Sequence, residues 1–253
     1  MNIAGIILAG GKGTRINSHK VNKVVLNFAG YPIITYAVKL LAGVTNPNVV
    51  VVGAFSHSVK DALKNYKVNY AYQQKRLGTA HATQVGLESE AILSSSPPSS
   101  VVVGYGDHMM FYKKATVRKL IKAQIIHKAV ISLITAVHTK PDELAWGRVV
   151  RDKNGYIVDN VEQKDATAEE RKINELNAGF YCFDYLFLID NIKKVKKSPV
   201  SGEYYLNALI HTAVEQGKKV VGMKVPFKEV GIGINRLQEL HKSQKIYLQS
   251  NPS

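Results

Sequence analysis

The 253-residue sequence has a single cysteine, Cys182, which excludes a disulfide within these residues and suits a reducing compartment. No apolar stretch approaches the length that crosses a bilayer. The start, MNIAGIILAGGKGTR, lacks a basic segment before its apolar run and turns glycine-rich where a signal peptide would carry its cleavage site. We therefore expect a cytoplasmic protein with no membrane partner.

Acidic residues are scarce: 19 Asp and Glu stand against 34 Lys and Arg, a net charge of +15. Three interpretations stay open, namely a solvated lysine-rich surface, a field that attracts polyanionic substrates, and nucleic-acid binding. No RNP, KH or zinc-finger pattern accompanies the charge, so we do not expect a nucleic-acid partner.

The first half alternates short apolar runs with segments of helical period. Residues 2–8, 48–53 and 100–104 are nearly continuous apolar runs, typical of strands buried on both faces of a parallel sheet. Helices are predicted near 32–43, 57–65, 79–93 and 113–127. This alternation predicts an α/β fold with a doubly wound, mostly parallel, Rossmann-like sheet.

The second half has a different pattern. Residues 147–151 and 156–161 flank Asn154-Gly155, a strong hairpin signal. Further strands are predicted near 178–183 and 219–225, and helices near 203–216 and 234–248. We expect a small antiparallel lobe set against the parallel sheet.

A glycine-rich loop, LAGGKGTR at 8–15, follows the first predicted strand directly. Its spacing is neither that of the P-loop nor that of the dinucleotide-binding fingerprint. Gly10, Gly11 and Gly13 let the backbone approach a ligand closely, and Lys12 and Arg15 add positive charge. Although such a turn could be merely a tight connection, its position at the carboxyl end of a strand favours a phosphate site.

LAGGKGTR resembles the signature loop of the sugar nucleotidyltransferases. Later motifs follow in that family's order: QQKRLGTAHA (73–82), YGD (105–107), WGRVVRDKNG (146–155), VEQKDAT (161–167), INELNAG (173–179) and GEYYLNA (202–208). Together they most closely resemble the uridylyltransferase domain of the bifunctional N-acetylglucosamine-1-phosphate uridylyltransferases, from about residue 3 to about residue 240.

The resemblance implies one nucleotidyltransferase domain over 1–253, with a nucleotide-binding half (1–110), a sugar-binding half (111–240) and a C-terminal tail (241–253). No hexapeptide repeat is present, so we expect no β-helix acetyltransferase domain. Without the trimerisation element of that domain, we expect a monomer or weak dimer.

The resemblance also implies site residues. Arg15 and Lys23 are the expected catalytic cations, and Asp107 the expected ligand of a Mg2+ cofactor. The expected nucleotide-binding residues are Leu8, Ala9, Gly10, Gly11, Lys12, Gly13, Gln73, Gly78, Thr79, Tyr105 and Gly106.

Within that set, the amide of Gln73 is expected to read the uracil edge by donating and accepting at once. Thr79 can also cap the helix predicted at 79–93.

The sugar is expected to contact Gly147, Glu162 and Asn177. Trp146 stands where tyrosine is usual in the family, Ala178 replaces a threonine, and Asn22 replaces a proline. His108 follows Asp107 in place of an apolar or small residue, and a polar residue lining the cleft is the expectation for it.

The second metal ligand departs from the family pattern, which has an asparagine two residues before an arginine. Alignment of EVGIGINR (229–236) without a gap puts Ile234 there, and its side chain cannot bind Mg2+. We expect Asp107 to be the sole protein ligand, with Asn235 as the alternative if the loop shifts by one residue.

These features predict an enzyme that makes UDP-N-acetylglucosamine and pyrophosphate from UTP and N-acetylglucosamine 1-phosphate. The nearest alternative is a uridylyl- or thymidylyltransferase for another sugar 1-phosphate, such as glucose 1-phosphate. An alternative of another class, motivated by Ile234, is a non-catalytic sensor of nucleotide sugars.

Overall fold

The structure, a computed structural model, describes residues 2–13, 16 and 20–250. Its strands are β1 (Ile3–Ala9), β2 (Asn27–Phe28), β3 (Tyr31–Pro32), β4 (Asn48–Val52), β5 (Asn69–Tyr72), β6 (Ser100–Tyr105), β7 (Ile131–Val137), β8 (Arg148–Arg151), β9 (Ile157–Val161), β10 (Glu175–Asp184) and β11 (Val220–Lys224). Its helices are α1 (Ile33–Leu41), α2 (Ser56–Ala62), α3 (Thr79–Leu87), α4 (Glu90–Leu93), α5 (Lys114–Ile126), α6 (Ala168–Arg171), α7 (Tyr185–Asn191), α8 (Ala208–Glu215) and α9 (Leu237–Ser250).

One nine-stranded sheet organises the chain. Its main path has the order β11-β7-β10-β6-β1-β4-β5, and the β8–β9 hairpin joins it through β10. Strand β1 is parallel to both β4 and β6, and β11 is parallel to β7. Strand β10 runs antiparallel to both of its neighbours, β6 and β7. The predicted α/β fold with a mostly parallel sheet is therefore confirmed.

The apolar run of β1 is buried because both faces of the sheet are covered. Ile7 belongs to a buried cluster that includes apolar residues of α1, α2 and α5. Its neighbour Ile6 points the other way, into a cluster with residues of α3, α7 and α8. This alternation is what a doubly wound sheet requires of a central strand.

The predicted hairpin forms at Asn154-Gly155, and its strands β8 and β9 pair antiparallel from Arg148 opposite Val161. The antiparallel part is not a separate body, because β10 pairs with β8 while also lying inside the main sheet. The register of β10 against β7 shifts between Asn177 and Tyr181. Strand β10 therefore bulges between the part that pairs with β8 and the part that pairs with β6.

Several boundaries differ from those predicted. The helix expected at 79–93 is two helices, α3 and α4, because Ser89 between them has extended backbone angles. The helix expected at 203–216 begins only at Ala208, since the preceding residues bond to another segment: Tyr204 N donates to Leu77 O at 2.8 Å. Strands β2, β3, β5 and β7 and helices α6 and α7 are absent from the sequence predictions.

Residues 241–250 of the predicted tail belong to α9, which packs onto the nucleotide-binding half. A third buried cluster joins Leu240 of α9 to Phe28, Phe111 and Ile234. Within the described ranges, no helix is long and apolar enough to span a membrane.

Candidate active site

A cleft of about 560 Å3 opens where β1 and β6 end. Parallel strands bring their carboxyl ends to one edge of a sheet, which is where such folds bind ligands. The cleft is lined by most of the residues predicted from the sequence: Leu8, Ala9, Gly10, Gly11, Lys12, Gly13, Lys23, Gln73, Gly78, Thr79, Tyr105, Asp107, Gly147, Glu162, Asn177 and Asn235. Residues from both halves of the chain thus face one space, while their individual roles stay predictions.

Two predicted residues remain. Arg15 lies outside the described residues. Gly106 sits beneath the cleft instead of facing it: its N–H donates to Leu8 O at 2.9 Å. A Cβ on Gly106 would come within 2.8 Å of Ile34 Cδ1, so close packing explains the glycine.

The side chain of Asn22, which is fully buried, bonds to the glycine-rich loop. Its Nδ2 lies 3.0 Å from Ala9 O, 3.0 Å from Gly11 O and 2.9 Å from Ala54 O. The loop carbonyls of Ala9 and Gly11 are therefore occupied by one side-chain amide. The sequence marks Asn22 only as a substituted proline and carries no signal of this role.

Lys23 lies at the centre of the cleft and connects distant parts of the chain. Its Nζ forms an ion pair with Asp107 and lies 3.0 Å from Ile234 O and 3.1 Å from Asn235 Oδ1. The side chains of Lys23 and Asp107 are only 15% and 17% exposed, so solvent screens this pair less than a surface pair. A cation thus already sits between the carboxylate of Asp107 and the amide oxygen of Asn235.

Ile234, which the alignment without a gap puts at the second ligand position, has its side chain buried in the third cluster and outside the cleft lining. Asn235 faces the cleft instead. Glu239, in the first turn of α9, accepts from the backbone N–H groups of Asn235 and Arg236 at 2.6 and 2.8 Å. The start of α9 therefore positions Asn235.

Asp107 and Asn235 are the residues that could hold a hard divalent cation, because both present oxygen atoms to one point. In the described part of the chain, no group of three or more His, Cys, Asp and Glu side chains could hold a metal ion. A cation at Asp107 and Asn235 would therefore need further oxygen ligands from phosphate or water.

The part of the cleft that the sequence predicts to bind the base, called the base side below, is formed by Gln73, Gly78 and Thr79. Gln73 Nε2 lies 3.2 Å from Gly78 O and 3.0 Å from His81 Nδ1. Both N–H groups of this amide therefore have acceptors inside the protein. Gln73 cannot donate and accept at once toward a base, as expected from the sequence, without giving up one of these bonds.

Thr79 does not cap a helix. It is the first residue of α3, and no side-chain capping bond is present. Its Oγ1 instead accepts from Leu206 N at 2.9 Å, and Ala80 N donates to Tyr204 O at 2.9 Å. These bonds attach the base side of the cleft to the GEYYLNA segment.

The part of the cleft that the sequence predicts to bind the sugar, called the sugar side below, contains Gly147, Glu162 and Asn177. Asn177 Nδ2 donates to Asn160 Oδ1 at 3.1 Å and to Tyr181 Oη at 2.8 Å. Its Oδ1 accepts from Gly179 N at 2.9 Å. Asn177 therefore keeps only acceptor capacity for a ligand. Gly179 has a φ of +68°, which glycine adopts without strain, and its turn returns the N–H to the Asn177 oxygen.

Asn160 connects the other parts of this sugar side. Its Nδ2 donates to Arg148 O at 3.0 Å, and its Oδ1 also accepts from Asn207 Nδ2 at 2.6 Å. A Cβ on Gly147 would collide with Asn160 Oδ1, so glycine is required there for close packing. Asn207, in the GEYYLNA segment, thus belongs to this buried amide network.

Burial, together with the nearby carboxylates of Asp165 and Glu203, raises the pKa of Glu162 from 4.5 to about 7. Glu203 also lines the cleft, so two acidic side chains face the sugar side. Near neutral pH, Glu162 can therefore exchange a proton.

His108 lines the cleft but is 5% exposed, with its ring 4.5 Å from that of Trp146. Burial lowers its pKa to about 4, against the opposing effect of Asp107, so the ring is neutral at physiological pH. Its Nε2 has no hydrogen-bond partner in the described chain.

His108 lines the cleft, as expected from the sequence. Other lining residues were not among the predicted site residues: Asn22, Arg76, Trp146, Glu203 and Tyr205.

Comparison with known proteins gives a consistent result. The family model described as "Nucleotidyl transferase" matches residues 4–231. The chain is similar to "Bifunctional protein GlmU" of Caldicellulosiruptor saccharolyticus, at 36% identity over 242 residues, 95% of this chain and 50% of the relative. The protein of the same name from Exiguobacterium sibiricum is 38% identical over 237 residues, 93% of this chain and 51% of the relative. The chain thus spans about half the length of the curated relatives it matches.

Among solved structures, the chain resembles one from Bacillus anthracis that carries the name glucose-1-phosphate thymidylyltransferase, crystallised with a sucrose. The TM-score is 0.75 and the identity 20%, over 97% of this chain and 95% of that one. At this identity the likeness supports the fold alone.

Replacing Asn22 with alanine should remove the bonds that hold the glycine-rich loop and leave buried carbonyls unpaired. We expect a loss of about 2 kcal/mol in the free energy of unfolding, measured by urea denaturation. Asn69→Ala is the matched control, since Asn69 is exposed and donates one bond to Asn48 O. Equal losses in both variants would contradict this role of Asn22.

Glu162 binds its proton more tightly in the folded chain than in the unfolded chain. As pH rises from 4.5 to about 7, the unfolded chain releases this proton while the folded chain keeps it, so stability falls. Glu162→Gln should remove this contribution. The free energy of unfolding of the variant, minus that of the native sequence, should therefore increase as pH rises across this window. Glu169→Gln, at an exposed position, is the control. A difference between the Glu162 variant and the native sequence that does not change with pH would contradict the raised pKa.

Proposed function

The chain belongs to the nucleotidyl transferase family, and on that premise we propose that it transfers a uridylyl group from UTP to N-acetylglucosamine 1-phosphate and releases pyrophosphate. The observation that carries this proposal is the single cleft that brings the glycine-rich loop, Lys23 and Asp107 together with Glu162 and Asn177. A phosphate-binding edge and a polyhydroxyl-binding edge that face each other suit the joining of a nucleotide to a sugar phosphate.

The reaction is the attack of a sugar-phosphate oxygen on the α-phosphorus of UTP, with pyrophosphate as the leaving group. Because both reactants are anions, positioning and charge neutralisation can supply most of the catalysis without a covalent intermediate. Lys23 is a cation of the cleft lining, and backbone N–H groups of Gly10, Gly11 and Gly13 are proposed to face phosphate oxygens while Asn22 holds the carbonyls of Ala9 and Gly11. Arg15 is proposed, from the motif resemblance, to act on the departing pyrophosphate.

Mg2+ is the proposed cofactor, held by Asp107 and Asn235, and it would neutralise charge on the phosphates. Lys23 already contacts both of these side chains, so its ammonium and a metal ion would compete for the same oxygens. Release of Lys23 from Asp107 would free the ammonium for the phosphate of the incoming sugar. Asn235 also removes the motive for a non-catalytic sensor, which rested on Ile234 as the metal-site residue.

For the sugar, Glu162 and Asn177 would accept hydrogen bonds from hydroxyl groups, and Gly147 would leave room for the ring. The choice of N-acetylglucosamine rests on the motif resemblance, and glucose 1-phosphate with UTP or dTTP is the second candidate. Trp146 and Ala178, both in the lining, are the two substitutions that bear on this choice.

Pyrophosphate release should be measured with UTP, dTTP and CTP, each against N-acetylglucosamine 1-phosphate, glucose 1-phosphate and no sugar. We expect the highest kcat/KM with UTP and N-acetylglucosamine 1-phosphate. We expect no pyrophosphate release by Asp107→Asn, because the amide carries no negative charge to neutralise a metal cation. Highest activity with glucose 1-phosphate would establish the second candidate. No release with any pair would contradict the proposed function.

Substitutions at the two candidate metal-ligand positions should differ in their effect on the Mg2+ requirement. Asn235→Ala should raise the Mg2+ concentration for half-maximal pyrophosphate release by about tenfold or more, because a cation loses an oxygen ligand. Ile234→Asn should leave this requirement unchanged and cost about 3 kcal/mol of stability, because it buries an amide among apolar side chains. A lower Mg2+ requirement in Ile234→Asn would contradict Asn235 as the ligand.

A further inference from the structure

The orientation of the Gln73 amide is determined by its two neighbours. Its nitrogen lies 3.2 Å from Gly78 O, and a carbonyl oxygen can only accept, so the group that faces Gly78 is the NH2. The second N–H then faces His81 Nδ1 at 3.0 Å, which requires that nitrogen to be unprotonated. The proton of the neutral imidazole is therefore on Nε2.

The amide oxygen of Gln73 faces the opposite way, toward the glycine-rich loop. A Cβ at Gly10 would lie 2.7 Å from Gln73 Oε1, so the oxygen stands directly against the loop backbone. No donor reaches this oxygen within the described residues, and Gln73 lines the cleft with a side chain that is only 4% exposed. To a ligand in the cleft, Gln73 thus offers an acceptor and no donor.

We propose that His81 is the positioning residue that makes the base site select uracil or thymine over cytosine. This proposal rests on the proposed function, since it concerns the base of the nucleotide that the cleft binds. His81 itself does not line the cleft; it acts through Gln73, whose second N–H it holds.

The chemistry of the pyrimidines gives this selection. Uracil and thymine carry an N–H at ring position 3, which can donate to Gln73 Oε1. Cytosine has a lone pair at that position, and two acceptors that face each other in a desolvated site repel. An amide free to rotate could present its N–H group instead and accept cytosine, so the discrimination depends on what prevents the rotation.

Two bonds prevent that rotation, and His81 supplies the shorter of them. Without His81, only the 3.2 Å bond to Gly78 O remains, and the side chain gains freedom within the cleft wall. The loss of the bond to His81 should weaken UTP binding and reduce the difference in affinity between UTP and CTP.

The test is the ratio of the CTP to the UTP dissociation constant, measured by titration calorimetry without a sugar phosphate. We expect His81→Leu to lower this ratio by about tenfold, the effect of one buried hydrogen bond. His81→Asn should keep the native ratio, because its Oδ1 can occupy the place of Nδ1 and accept the same bond. His127→Leu, at an exposed position after α5, is the control for a His-to-Leu change.

An unchanged ratio in His81→Leu would overturn the proposal, as would a loss of selectivity in His81→Asn equal to that in His81→Leu. If His81→Leu does not fold, 15N NMR of the native imidazole decides: an unprotonated Nδ1 is expected, and a protonated Nδ1 would overturn the proposal. Failure of the proposed function would be seen separately, as nucleotide binding without pyrophosphate release.

Discussion

The ion pair of Lys23 and Asp107 is the contact on which the cleft depends. It joins the segment after the glycine-rich loop to the end of β6, and Asn235 at the start of α9 completes it. The pair can form because β6 lies beside β1 in the sheet, so that Asp107 emerges next to the loop. In the proposed reaction, the α-phosphate of UTP and the phosphate of the sugar would meet beside Lys23. Its ammonium already contacts the oxygens of Asp107 and Asn235 that a metal ion would use.

Buried side-chain amides hold the walls of the cleft around that point. Asn22 holds the loop carbonyls, His81 orients Gln73, and Asn160 accepts from both Asn177 and Asn207. Because buried amides cost free energy unless they are satisfied, each of them restricts its neighbours to one arrangement. The same bonds decide which atoms remain for a ligand, and at Gln73 and Asn177 only oxygens remain. The site is thus mainly an acceptor surface on its base and sugar sides and a cationic surface between them.

Much of the fold could be predicted from the sequence, because β1, β4 and β6 are continuous apolar runs and Asn154-Gly155 marks the hairpin. The cleft followed from the glycine-rich loop and Asp107, which both come directly after such strands. The antiparallel insertion of β10 could not be predicted, since it depends on pairing with β6 and β7 far away in the chain. Ile234 and Asn235 were ambiguous because only packing in the third cluster decides which of two adjacent side chains faces inward. The role of Asn22 depends on its contacts with three carbonyl groups and that of His81 on its contact with Gln73, and no local sequence pattern records these contacts.

The most direct test of this account is a crystal structure of the chain with Mg2+ and a non-hydrolysable UTP analogue. The account predicts the cation between Asp107 and Asn235 Oδ1, the base N–H against Gln73 Oε1, and Lys23 moved from Asp107 toward the phosphates. A structure in which Lys23 stays on Asp107, with the metal bound elsewhere and the triphosphate away from the glycine-rich loop, would contradict it.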